Sequence, residues 1–302
     1  MLYLVFILYA LFGFTFTLGK ITLQYAQPFF TIGLRMMISG IGLMSYIYLK
    51  RRIDCYPVLN DAKYYAQVAI FGIFVPYCSR AWALQYMSTT KMALFFNFMP
   101  FFTAFFAYFI NKERLTLVKL LGLIIGFVGM IPILLNNTSV EQSFGSFAFV
   151  SFPECITIIA VASFSYNYLV MQTLIKERGC APILANGISM LWGGILAFNL
   201  SLFTEYPFLK GSPLMFLGCL SLLILISNIL CAHLQATLLK YYSSTFLAFA
   251  NFLSPLWAAF YGWVLLGESI TWHFIASLSL VSIGLGIYYY DEFRKKGLIA
   301  RC

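Results

Sequence analysis

The sequence predicts an all-α polytopic membrane protein with ten transmembrane helices, arranged as two inverted five-helix repeats. Three observations carry that prediction: an apolar composition no soluble core can hold, basic residues concentrated in alternate connections, and a self-similarity at a shift of 155 residues. Of 302 residues, 62% are hydrophobic and 10% charged, with a mean hydropathy of +0.87. A soluble domain carries about 25% charged residues. A helix needs about 20 mainly apolar residues to cross a bilayer, and the chain is built of such runs. Strands of a membrane barrel would alternate polar and apolar instead.

Read in order, the apolar stretches cover 2–19, 28–49, 64–86, 88–110, 115–135, 148–173, 182–203, 213–239, 243–266 and 271–290. The first lacks a basic leader and an A-x-A-like cleavage site, which marks it as a retained helix. The connections are short, and the longest polar one is NNTSVEQS at 136–143. With the N-terminus cytoplasmic, the inner segments hold Lys50, Arg51, Arg52, Lys63, Lys112, Arg114, Lys119, Lys176, Arg178, Lys240, Arg294, Lys295, Lys296 and Arg301. The outer loops hold only Lys20 and Lys210. Basic residues are retained on the cytoplasmic side, so the pattern supports ten spans with both termini cytoplasmic. The net charge of +9 is therefore topological and gives no reason to expect a nucleic-acid partner. The seven cysteines are scattered, without metal spacing or a disulfide framework.

The repeat appears when the chain is shifted by 155 residues. Tyr86 then falls on Tyr241, Ser88 on Ser243, Thr90 on Thr245, Ala93 on Ala248 and Pro100 on Pro255. Ala104, Phe105, Glu113 and Thr116 fall on Ala259, Phe260, Glu268 and Thr271. Asn97 and Asn251 miss one another by one position. The expected organisation is a first repeat over 1–140, a second over 146–291 and a basic tail over 292–302. Five helices per repeat is an odd number, so the second copy enters the membrane upside down. Inverted repeats are the architecture of many secondary transporters.

Several stretches resemble the EamA-type members of the drug/metabolite transporter superfamily. They are Arg35 in the second span, WALQYMSTTKMAL before Pro100, NKERLT with glycines at 122, 126 and 129, and SPLWAAFYGWVLLGESITW at 254–272. The resemblance covers essentially the whole chain. It implies a carrier of small metabolites whose central cavity is lined mainly by helices one to four and six to nine. For Glu113 and Glu268, at the ends of spans, it implies a structural or gating ion-pair role.

Intramembrane polar groups name the candidate site. Tyr77 and Arg80 lie three apart on one helical face, with Trp82 offset. Ser163 and Asn167 lie four apart beside Tyr166, and Asn228, Cys231 and Gln235 form a stripe at i, i+3, i+7 with His233 off it. Such faces turn away from lipid. Proline removes a helical hydrogen bond and frees a carbonyl, so Pro100 and Pro255 read as hinge-like points. Two roles are open to the neighbouring Asn97 and Asn251: satisfying that kink, or facing a cavity. Arg80, with Lys91, is expected to neutralise an anionic group of the substrate, and Phe and Tyr to hold a cationic or apolar remainder. Arg35 fits a structural anchor. Glu154 and His233 are the candidates for carrying protons, and exchange or facilitated diffusion is the preferred mode.

The chain has no Walker motif for ATP, no HExxH and no GxSxG. The expectation is a non-enzymatic carrier without cofactor or metal. It would sit in an inner or plasma membrane and move an amino-acid-like or nucleoside-bearing solute, S-adenosylmethionine being one candidate. Its partners are the lipid bilayer and a small molecule, with a homodimer left open. A channel-like facilitator or a lipid flippase is the alternative.

Overall fold

The computed structural model describes residues 2–50, 61–110, 117–135, 145–147, 150–231, 234–235, 238, 250–251 and 253–295. In chain order these form α1 (Leu2–Thr22), α2 (Pro28–Lys50), α3 (Ala62–Gln67), a π-helix π1 (Val68–Phe74), α4 (Val75–Leu84), α5 (Thr89–Phe96), α6 (Met99–Ile110), α7 (Leu117–Val128) and α8 (Ile131–Leu134). A two-stranded hairpin, β1 (Ser146–Phe147) and β2 (Val150–Ser151), leads into α9 (Phe152–Lys176) and α10 (Pro182–Thr204). Then follow α11 (Pro213–Leu223), a second π-helix π2 (Ile224–Cys231), α12 (Leu253–Leu266) and α13 (Trp272–Lys295). Among the described residues, seven helical stretches are long and apolar enough to cross a bilayer: Tyr3–Thr22, Pro28–Leu49, Ala62–Leu84, Thr89–Phe109, Phe152–Ile175, Pro182–Thr204 and Pro213–Cys231. Three shorter apolar helices cover Leu120–Leu134, Leu253–Leu266 and Trp272–Tyr288. The architecture is that of an all-α polytopic membrane protein.

The chain divides into two compact units, each drawing on both halves of the sequence. One comprises Met1–Thr17, Tyr86–Cys155 and Leu230–Cys302, the other Leu18–Gln85 and Ile156–Ile229.

The second unit is organised around the pairing of α2 with α10. A Cβ added at Gly40 of α2 would fall 2.7 Å from the backbone nitrogen of Leu191, so only glycine permits this approach. Lipid gives helices no hydrophobic reason to associate, and close backbone contact through small residues takes over that role. The start of α2 is held by a carboxylate from the end of α10. Glu205 accepts from the backbone N–H of Phe29 at 2.9 Å and of Phe30 at 2.8 Å. Both donors lack partners within the helix, and the negative charge complements the helix dipole.

In the first unit, α7 packs on α13 in the same manner. A Cβ at Gly284 would lie 2.5 Å from the backbone nitrogen of Gly126. The fourth membrane-length stretch is not one continuous helix. α5 ends at Phe96, Asn97 and Phe98 form a turn, and α6 restarts at Met99. Pro100 therefore sits in the first turn of α6, where a missing N–H costs little. Pro255 likewise sits in the first turn of α12. The start of α5 is capped twice. Ser88 Oγ accepts from Lys91 N at 3.1 Å, and Glu268 accepts from Thr89 N at 2.9 Å and from Thr89 Oγ1 at 2.7 Å.

A buried ion pair completes this unit. Lys91 Nζ lies 2.6 Å from Glu154 Oε1, with side chains 4% and 0% exposed. The stretch SFPE at 151–154 is the S-x-x-E signature of a helix start, and its glutamate reaches back to the cap residue. Glu154 Oε2 accepts from Ser151 N at 2.6 Å and from Ser151 Oγ at 2.9 Å. Removing one partner of such a pair strands the other charge away from water and costs about 3–5 kcal/mol, whereas removing both costs far less. Lys91→Met or Glu154→Gln alone should lower the thermal midpoint in detergent sharply, and the double substitution should recover most of the loss. Equal midpoints for single and double variants would contradict the pairing.

Candidate functional site

The third and seventh membrane-length stretches each contain a π-helix. A π turn admits one residue more than an α turn, is rare, and is found disproportionately at functional sites. The 155-residue shift carries 68–74 onto 223–229, so under that shift π1 and π2 overlap over 224–229. All of π1 and residues 224–229 of π2 belong to the second unit.

π1 packs chiefly on α10, where a Cβ added at Gly193 would fall 2.6 Å from Ile73 Cβ and 2.9 Å from the Ala69 carbonyl oxygen, and α9 adds polar contacts. Gly72 has no Cβ, and the Asn167 amide lies directly against it: an added Cβ would come within 2.5 Å of Asn167 Oδ1. Ser163 Oγ donates to the Phe71 carbonyl at 3.0 Å, a hydrogen bond from a neighbouring helix to the backbone of the widened turn. The Tyr166 ring meets Phe71 edge-on at 5.2 Å. Ser163, Tyr166 and Asn167, grouped from sequence spacing, thus all face π1. Asn167 Oδ1 is buried with no hydrogen-bond partner among the described residues.

Immediately after π1, Tyr77 on α4 lies within reach of two guanidinium groups. Arg80 is 5.0 Å from the ring centroid and Arg35, from α2, is 5.7 Å away. Both distances fall within cation–π range. Phe164 of α9 meets the same ring edge-on at 6.1 Å. Arg35 is 2% exposed, and its Nη2 donates to Ser227 Oγ at 2.7 Å and to Asn228 Oδ1 at 2.8 Å. Asn228 Nδ2 in turn donates to Ser39 Oγ. The second unit therefore holds two cations, an aromatic wall and an unsatisfied amide oxygen on α2, π1–α4 and α9, with π2 gripping one of the cations. Such a constellation can receive a carboxylate or another compact anion together with a flat or cationic moiety.

Sequence spacing brought Tyr77 and Arg80 together and placed Asn167 and Tyr166 on one face. It set Arg35 aside as an anchor, and missed Ser39 and Ser227. The partners of Arg35 lie 192 and 193 residues away. The available signal was a cation eight residues into an apolar span. The expected stripe of Asn228, Cys231 and Gln235 runs through π2, which alters the 3.6-residue period on which it rests. Along it, Asn228 is half-buried, Cys231 buried and Gln235 exposed. Trp82 is half-buried in α4.

The remaining expected residues belong to the first unit. Lys91 is engaged by Glu154. Asn251 Nδ2 donates to Asn97 Oδ1 at 3.3 Å, while Asn97 Nδ2 is buried without a hydrogen-bond partner among the described residues. The near-coincident asparagines of the repeat therefore meet each other. Glu268 holds the start of α5. Glu113 and His233 lie outside the described residues, as do Tyr241, Ser243, Thr245 and Ala248 of the repeat comparison. Among the described residues no group of three or more His, Cys, Asp or Glu side chains could hold a metal ion.

Comparison with known proteins gives a consistent outcome. The model of the EamA-like transporter family matches residues 1–135 and 151–290. A protein of Chlamydia muridarum named S-adenosylmethionine/S-adenosylhomocysteine transporter is 31% identical over 297 residues, covering 97% of this chain and 93% of that protein. Its counterpart of the same name in Chlamydia trachomatis serovar L2 is 29% identical, covering 97% and 90%. A solved structure at 14% identity aligns with a TM-score of 0.64 over 97% of this chain and 98% of the other, a likeness of fold alone. The chain is a membrane transporter and not an enzyme: it belongs to the EamA-like transporter family.

Proposed function

We propose that this transporter exchanges S-adenosylmethionine for S-adenosylhomocysteine across the membrane, with Arg80 and Arg35 receiving the substrate carboxylate. The observation that carries the reading is the pair of guanidiniums within reach of Tyr77, set in a chain that resembles two chlamydial transporters of these metabolites over nearly its whole length. Both metabolites share an amino-acid end and an adenosine end. The carboxylate meets the guanidiniums, where charge-assisted hydrogen bonds are stronger than neutral ones. The adenine and the sulfonium suit aromatic side chains such as Phe164 and Tyr166, which tolerate a cation or a flat ring on their faces. The buried Oδ1 of Asn167 can accept a hydrogen bond from the substrate's ammonium or exocyclic amine.

The same reading takes the protein as ten spans in two inverted repeats, over 1–140 and 146–291, with both termini cytoplasmic. The three shorter apolar helices, the basic-residue asymmetry and the overlap of π1 and π2 under the 155-residue shift support it. Inverted repeats provide alternating access, because exchanging the conformations of the halves exchanges the open side.

Counterflow in proteoliposomes tests the substrate. Vesicles loaded with unlabelled S-adenosylhomocysteine should take up labelled S-adenosylmethionine saturably, and faster than empty vesicles. Uptake that is unsaturable and indifferent to the internal solute would point instead to a channel-like path and overturn the reading. Arg80→Ala should raise the half-saturation concentration about tenfold or more, as expected for a lost hydrogen bond to a charged group. An unchanged value in a folded carrier would remove Arg80 from the site.

A further inference from the structure

The Arg35 contacts carry more than binding. Ser227 and Asn228 take up Nη2 of a buried guanidinium, and Asn228 is itself oriented by Ser39. Arg35 and Ser39 are one turn apart on α2, so the asparagine amide is clamped at both ends against a single helix. The segment so clamped is π2, a wide turn that is intrinsically less stable than an α turn. The chain passes from the second compact unit into the first between Ile229 and Leu230, directly after this clamp.

We propose that the contact of Arg35 with Ser227 and Asn228 is a substrate-released latch, and that it makes the protein an exchanger instead of a free-running carrier. The proposal rests on the reading that Arg35 receives a substrate carboxylate. In the empty carrier Nη2 of the guanidinium donates to the neutral oxygens of Ser227 and Asn228, which holds π2 to α2. An arriving carboxylate is a stronger acceptor for the same N–H groups. It draws Arg35 away from Asn228 and unclamps π2 at the point where the chain leaves the unit. Reorientation is then fast when loaded and slow when empty. A ligand shifts a conformational equilibrium only through differential interaction with its states, and competition for one donor supplies that difference.

The test compares two fluxes in proteoliposomes loaded with labelled S-adenosylmethionine. One is efflux into buffer containing unlabelled S-adenosylhomocysteine, the other efflux into buffer alone. The unaltered protein should show exchange exceeding net efflux by about tenfold or more, and Asn228→Ala should bring that ratio down toward one, chiefly by raising net efflux. Asn228→Asp, which offers Arg35 a carboxylate of its own, should move the ratio the other way by slowing empty return. A misfolded variant loses both fluxes together, in which case Ser227→Ala, which removes one of the two contacts, is read in its place and should lower the ratio less steeply. An unchanged ratio in either variant, with exchange intact, overturns the latch and leaves the substrate assignment standing. No flux of either metabolite by the unaltered protein overturns the substrate reading and the latch with it.

Discussion

A hydrocarbon interior offers no hydrogen bonds, so a polar group inside it must be answered by another group of the same protein. That constraint organises most of what the structure shows. Three glutamates each hold the beginning of a helix: Glu154 that of α9, Glu205 that of α2 and Glu268 that of α5. Each meets backbone N–H groups that no helix can satisfy internally. The chain has only ten acidic residues in 302, so this use of them is a substantial share. One nitrogen of Arg35, by contrast, is held by a serine and an asparagine. A neutral acceptor holds a guanidinium less tightly than a carboxylate does, so that contact is one a stronger acceptor can replace.

The same constraint explains the irregular backbone. A turn at Asn97–Phe98 and the wide turns of π1 and π2 leave or rearrange backbone groups in the middle of apolar stretches. In transporters non-helical backbone at membrane depth survives where protein or a cavity surrounds it. Here Ser163 reaches the Phe71 carbonyl, and Asn167 lies on the bare backbone of Gly72. The irregularities therefore coincide with the polar side chains and with the arginines, as they should if backbone deformation and solute recognition share one location.

Much of this was legible from the chain alone, because the solvent is legible. Long apolar runs, their basic flanks and the spacing of Tyr77 with Arg80 are local features, and local periodicity reports them faithfully. The family membership follows from motifs distributed along the whole chain. Arg35 was less readable, since its role depends on partners nearly two hundred residues distant. The stripe through Asn228 and Gln235 was hard to read for a different reason: it crosses a π-helix, whose wider turn alters the helical period, and composition gives no sign of it. Glu268 resembled an ion-pair partner, and its use as a helix cap becomes visible only when Thr89 is seen beside it.

The amide contact between Asn97 and Asn251 differs in kind from the ion pair of Lys91 with Glu154. In an ion pair the roles of donor and acceptor are fixed by chemistry. An amide carries both roles, and a half-turn about its terminal bond interchanges them. Two facing amides can therefore bond with either one as donor, at equal charge and equal count of hydrogen bonds. The contact is degenerate: it joins the turn at Asn97 to Asn251 without assigning a direction. A connection of that sort survives a reversal of roles between the elements it joins, which the lysine and glutamate could not do.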